Sequence, residues 1–197
     1  MSGDQQKALE HIRETLKDYS AEARDYWLSY SHGGTWQFWV SVALLVIPLI
    51  VLVFAMDRKR ALQLGFFGYN VHVWFIYIDH IGVMHGKWEY PYKVFPFAPI
   101  SFVLDASLVP VTFMLVYQWV LHRGKNRYLY FTLLCAAFSF VLKPIMVRLN
   151  LFRMYEGMNY LYLFLLYLLL MLLSVWITAL FLHAQDRALK ARTKSDA

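Results

Sequence analysis

Cysteine and charge are both scarce in this chain. Its one cysteine, Cys135, lies inside an apolar run, which excludes an intrachain disulfide and a cysteine-based zinc cluster. Charged residues make up 16% of the 197 positions and apolar ones 59%, far from the balance of a soluble domain. The net charge of +6 follows the apolar runs instead of forming one basic patch, so no nucleic-acid partner is expected. No GxSxG elbow, Walker glycine loop, dinucleotide fingerprint or HExxH pair occurs. Nothing therefore calls for a cofactor, and no metal site is expected. A short basic leader with a cleavage site is also missing ahead of the first apolar run, so the N-terminus is expected to be retained.

Long apolar segments are what the chain has in abundance. A spanning helix needs ~20 mainly apolar residues, and the stretches 35–56, 62–82, 99–121, 128–147 and 159–183 qualify. The fold class this predicts is all-α, a polytopic membrane helix bundle of five transmembrane helices. An N-terminal amphipathic helix precedes it, because Leu9, Ile12, Leu16, Tyr19, Ala23, Tyr26 and Tyr30 recur at alternating spacings of three and four. Such a seam suits either the membrane interface or a second copy of the chain. The organisation expected is a helix and Gly-rich break over 1–34, the bundle over 35–183 and a basic tail over 184–197.

Arg58, Lys59 and Arg60, then Arg123, Lys125 and Arg127, then Arg187, Lys190, Arg192 and Lys194 all belong to one side of this bundle. Short loops rich in Lys and Arg stay cytoplasmic. The N-terminus is therefore expected outside and the C-terminus inside.

Ionisable residues inside a span are costly and mark either a pairing partner or a site. Asp79 falls one turn from the outer end of the second span, with His72 on the same face seven residues earlier. Asp105 lies six residues past Pro99, and Pro110 after it leaves a carbonyl near Asp105 without its helical donor. Lys143, before Pro144, reaches a similar depth in the fourth span. His80, His85, Trp88 and Glu89 sit above this layer, in a loop whose aromatic residues also suit headgroup depth. One reading makes Asp105 and Lys143 a buried ion pair that fixes helix register, with Asp79 bonded to His80 or a tyrosine. The other makes the acids and the lysine line an outward-facing cavity. On that reading the ligand-binding set is His72, Asp79, His85, Trp88, Glu89, Asp105 and Lys143, and the catalytic candidates are Asp79, Asp105 and Glu89.

Residues 66–119, "FFGYNVHVWFIYIDHIGVMHGKWEYPYKVFPFAPISFVLDASLVPVTFMLVYQW", resemble a family of small multi-span membrane proteins of Gram-positive bacteria with no assigned activity. The features that carry the resemblance are the acid closing the second span, the Lys-Trp-Glu-Tyr-Pro turn, the Pro-Phe-Ala-Pro entry, the Asp105 to Pro110 segment and Tyr117-Gln118. It implies a bacterial plasma-membrane location. A fainter similarity is to membrane lycopene-cyclase-like proteins, which use acids to protonate an isoprenoid double bond, but their Pro-Glu-Glu signature is missing here.

Three functions remain open on the sequence. The favoured one is a non-enzymatic module that binds a lipid, peptide or partner protein through the outer polar layer. The second is an enzyme acting on an isoprenoid-like substrate by general acid catalysis. The third is proton or ion transport. Expected partners are membrane lipids, with a second copy or another membrane protein as further candidates.

Overall fold

The computed structural model describes residues 1–155 and 157–195, with the side chains of Lys194 and Ser195 left aside. Glu156 and the last two positions of the basic tail lie outside the described residues.

Six helices account for most of the described chain: α1 (Gly3–Tyr30), α2 (Trp36–Ala55), α3 (Ala61–Met84), α4 (Leu104–Arg123), α5 (Arg127–Arg148) and α6 (Tyr160–Ser195). The fold is all-α apart from one antiparallel ladder, in which β1 (Trp88–Glu89) pairs with β2 (Arg153–Met154). Local chemistry sets the ends. Ser2 accepts the Gln5 N–H at the start of α1, Asn126 accepts those of Tyr128 and Leu129 at the start of α5, and Gly124 closes α4 at φ 59°. The tail expected to begin at 184 continues α6 as helix to Ser195.

Five spans were expected, but four helices are long and apolar enough to cross a membrane: α2, α4, α5 and α6. The exception is α3, because Gln63, Asn70, His72, Asp79 and His80 are spread through it. It is nonetheless the packed centre of the bundle, buried against α4 and α6. Phe67 of α3 stacks on Phe131 of α5 at 5.3 Å between centroids and tilts against Tyr117 of α4 at 4.6 Å. Aromatic pairs of this kind each add about 0.5–1.5 kcal/mol beyond the area they cover. By contrast α2 is peripheral and turns Val53 and Phe54 outward, 65% and 85% exposed.

Two π turns interrupt the helices where the buried polar layer forms. In α4, over Leu104–Leu108, the Val109 N–H bonds back to the Leu104 carbonyl; in α5, over Phe138–Leu142, the Lys143 N–H bonds back to Phe138. A proline stands five residues beyond Asp105 and another five beyond Ser139, so neither carbonyl can find the N–H that this register would offer. Both π turns thus have a proline at the same offset, whereas Pro48 stands inside α2 without one.

Candidate functional site

The turn out of α3 decides what lies over its end. Gly86 takes φ 61°, its N–H bonds to Val83 O, and the Lys87 N–H bonds to Gly82 O, a left-handed helix stop that aims the chain back over the bundle. Trp88 then lies flat against Gly82, so tightly that a Cβ there would sit 1.9 Å from its ring. Strand alternation sends Trp88 and Tyr90 inward and leaves Glu89 on the outer side. The ladder with β2, and the Tyr155 N–H bonded to Lys87 O, join this loop to the one after α5. Together the two loops form a lid.

Beneath the lid Asp79 is the hub. Its Oδ1 accepts from Trp88 Nε1 at 2.7 Å and from the Tyr90 hydroxyl at 2.6 Å, and its Oδ2 accepts from the Ser101 N–H at 2.9 Å. The Tyr90 hydroxyl in turn accepts from Lys143 Nζ at 3.3 Å. That ammonium also sits 3.6 Å from the centroid of the Phe152 ring, contributed by the second lid loop. Burial, and then the charge of Asp79, hold the Tyr90 phenol well above its ordinary titration range. It therefore stays a hydrogen-bond donor at any physiological pH.

Asp105 lines the same small cavity as Asp79. Its Oδ2 is buried without a partner. The Asp105 carbonyl, the one the π turn leaves free, accepts from His72 Nδ1 at 2.7 Å. The register pair that one of the two readings gave Asp105 and Lys143 does not form, since no ion pair within 4.0 Å involves either residue among those described. Helix depth brought them to one layer, but rotation about the helix axes turned Lys143 toward Tyr90 and Phe152.

The layer encloses only a small cavity. About 20 Å³ is open to the centre of a water molecule, between Asp79, Asp105, Lys143, Phe75 and Tyr167. That is room for about one water. Asp79, Asp105 and Lys143 are all buried, so the arrangement closes the protein on itself and offers no open binding cleft.

An open cleft lies on the far side of the lid. It has a volume of about 420 Å³ between the last third of α1 and the lid loops, within the range of small-ligand sites. Glu89 and Arg153 face each other there at 4.0 Å, and Lys93, Tyr26 and Tyr155 supply further polar groups. Burial keeps the Lys93 ammonium below its usual range, and desolvation raises the Tyr26 phenol. The end of α1 is tied to the lid by hydrogen bonds: Trp27 Nε1 and Ser31 Oγ both donate to Lys93 O, and the Lys93 N–H returns a bond to Ser31.

The residues singled out from sequence thus divide into two places. His72, Asp79, Asp105, Lys143 and the Trp88 ring nitrogen meet under the lid, and Glu89 lies in the cleft above it. His85 is exposed and bonds only to Ile81 O of its own helix, while His80 lies in a neighbouring cavity with Lys93 and Met84. Tyr90, Ser101, Phe152, Lys93 and Arg153 escaped the sequence reading. For Tyr90 the signal was present, in the alternation Trp88-Glu89-Tyr90 beside a buried acid. Compared with protein-family models, curated proteins and solved structures, the chain matches none, so its function has to be argued from the two sides of this lid.

Proposed function

We propose that this chain is a multi-pass protein of a bacterial plasma membrane that binds a water-soluble, peptide-like ligand in the cleft between α1 and the lid. In this reading α3 is a fifth span. Its polar side chains are compatible with that because they have partners inside the bundle: Asn70 donates to Phe66 O at 2.8 Å, His72 to Asp105 O, and Asp79 accepts three bonds. The N-terminus lies outside and the basic loops lie in the cytoplasm.

The observation that carries the proposal is the contrast in access across the lid. The acids and lysine beneath it enclose space for one water, whereas the cleft above it is large enough for a ligand and carries both signs of charge among aromatic walls. A ligand with a free amine and a free acid is matched by Glu89 on one side and by Arg153 and Lys93 on the other. The cleft opens toward water, because α1 carries six acids and four Lys or Arg and buries no residue fully. The binding-module reading is therefore retained, with its site moved from the polar layer to the cleft. Acid catalysis by Asp79 or Asp105 has less support, since a substrate would have to open the lid to reach them.

A photoreactive benzoylphenylalanine at Tyr155, in the intact protein in its native membrane, tests this. The expected result is an adduct to a peptide or protein segment that weakens with Glu89→Gln or Arg153→Gln. Adducts confined to lipid acyl chains, or insensitive to both substitutions, would remove the proposal.

A further inference from the structure

The opposite end of the bundle carries a second built feature, a groove between the start of α3 and the later turns of α6. It has a volume of about 720 Å³. At its head stand Arg58, Lys59 and Arg60, held as a single 3₁₀ turn. Asp57 fixes that turn by accepting the Lys59 N–H at 2.9 Å, and it is itself held by the Gln118 side chain and His122 of α4. Arg60 keeps a loose 3.9 Å contact with Asp57, but Arg58 and Lys59 have no carboxylate within 4.0 Å among the described residues. These cations are positioned without being neutralised.

Below them the groove changes character. Gln63 of α3 and Gln185 of α6 offer amides at the level of the turn, and Phe66 and Phe181, 4.9 Å apart, form the apolar floor with Leu182. Leu62 and Phe181 are 91% and 59% exposed on a surface that hydrocarbon would cover. Cation, amide and hydrocarbon follow one another along the helix axis in the order of a phospholipid entering a bilayer.

We propose that this groove binds one anionic phospholipid, with the phosphate on the Arg58–Arg60 turn, the ester region on Gln63 and Gln185, and an acyl chain along Phe66, Phe181 and Leu182. The charge of the turn selects an anionic head group. The apolar floor, continuous with the lipid-facing surface, assigns the occupant to a lipid and not to a free phosphate. The proposal rests on the membrane location of the chain and is independent of the ligand in the cleft at the other end, so either can fail alone.

The test is native mass spectrometry of the full-length protein in detergent, titrated with phosphatidylglycerol and, separately, with phosphatidylcholine. Wild type should retain phosphatidylglycerol selectively, and Arg58→Gln with Lys59→Gln should weaken that binding about tenfold or more. Arg58→Lys with Lys59→Arg should keep it, which separates loss of charge from loss of fold. Arg123→Gln with Lys125→Gln removes the same charge from the neighbouring loop and should leave it intact. Equal binding of both lipids by wild type, or an equal loss in the Arg123 and Lys125 control, would overturn the proposal. So would displacement of the lipid by millimolar inorganic phosphate.

Discussion

The two ends of the bundle use charged side chains in opposite ways. At the lid end an acid, a tyrosine and a lysine are spent on one another: Asp79 accepts three bonds, Tyr90 relays one of them to Lys143, and the space left fits one water. At the other end Arg58 and Lys59 are held in place by an acid that does not neutralise them, above an open groove. A charge buried with its partners fixes the fold, and a charge held in position but unpaired is left over for a ligand. The difference lies in cover. Two loops cross the lid end, whereas at the other end the Arg58–Arg60 turn borders the groove and leaves it open.

The largest break in this comparison is expected from removing the hub. Asp79→Leu leaves Trp88 Nε1, the Tyr90 hydroxyl and the Ser101 N–H without an acceptor and strands the Lys143 charge. Thermal unfolding in detergent should show a loss of ~3–5 kcal/mol. A loss below ~1 kcal/mol, within the ordinary range for one hydrogen bond, would mean the lid is held by its β ladder alone.

Next in size is Gly82→Ala, which forces the Trp88 ring off α3. Overpacking of this kind costs about 1–3 kcal/mol. Limited proteolysis should cut the 88–96 loop faster in this variant, with α1 released as well because its anchor is Lys93 O. An unchanged cleavage pattern would show that the lid does not depend on this contact.

Asp105→Asn sharpens the comparison within the lid end itself. The carboxyl lines the same cavity as Asp79, and its Oδ2 has no partner. An amide of the same size can donate to Asp79, so the cost should stay under about 1 kcal/mol. The gap between Asp79→Leu and Asp105→Asn is therefore expected to be wide. Equal losses would give Asp105 a structural role as large as that of Asp79.

The smallest effect belongs to the open end and is read as a pH dependence. Its hydrogen bond from His122, and then that from the Lys59 N–H, hold the Asp57 carboxyl below the usual carboxylate value. A group depressed in the folded state adds stability above its unfolded pKa and loses it as pH falls through the folded one. The melting temperature of wild type should therefore exceed that of Asp57→Asn at neutral pH, and the two should converge as pH falls below the carboxylate range. A constant difference across that range would show that Asp57 acts through packing and not through its charge.

How far the site could be read in advance depended on what each residue had to reveal it. Asp79, Asp105 and Lys143 declared themselves, because an ionisable group in an apolar run has few explanations. His72 did so through its spacing from Asp79. Tyr90 and Phe152 did not, since an aromatic residue in a loop next to a span looks like any other residue of an interfacial belt. Ser101 contributes a backbone N–H, which no side-chain pattern announces. Of the polar residues that lowered α3 below the four spanning helices, Gln63, Asn70, His72 and Asp79 are satisfied inside the bundle, while His80 is exposed.

Composition and spacing by themselves determined that the chain is helical, where most helices begin and end, and which polar groups share a depth. Those properties depend on distance along one chain, at a fixed rise per residue. Only the tertiary structure decided that Lys143 turns to Tyr90 and not to Asp105, that the lid seals the layer, and that the open cleft lies above it. Those outcomes depend on the rotation of each helix about its axis and on two loops far apart in sequence meeting as strands. Neither is set by spacing along the chain, because the energy that chooses them arises only when the helices are in contact.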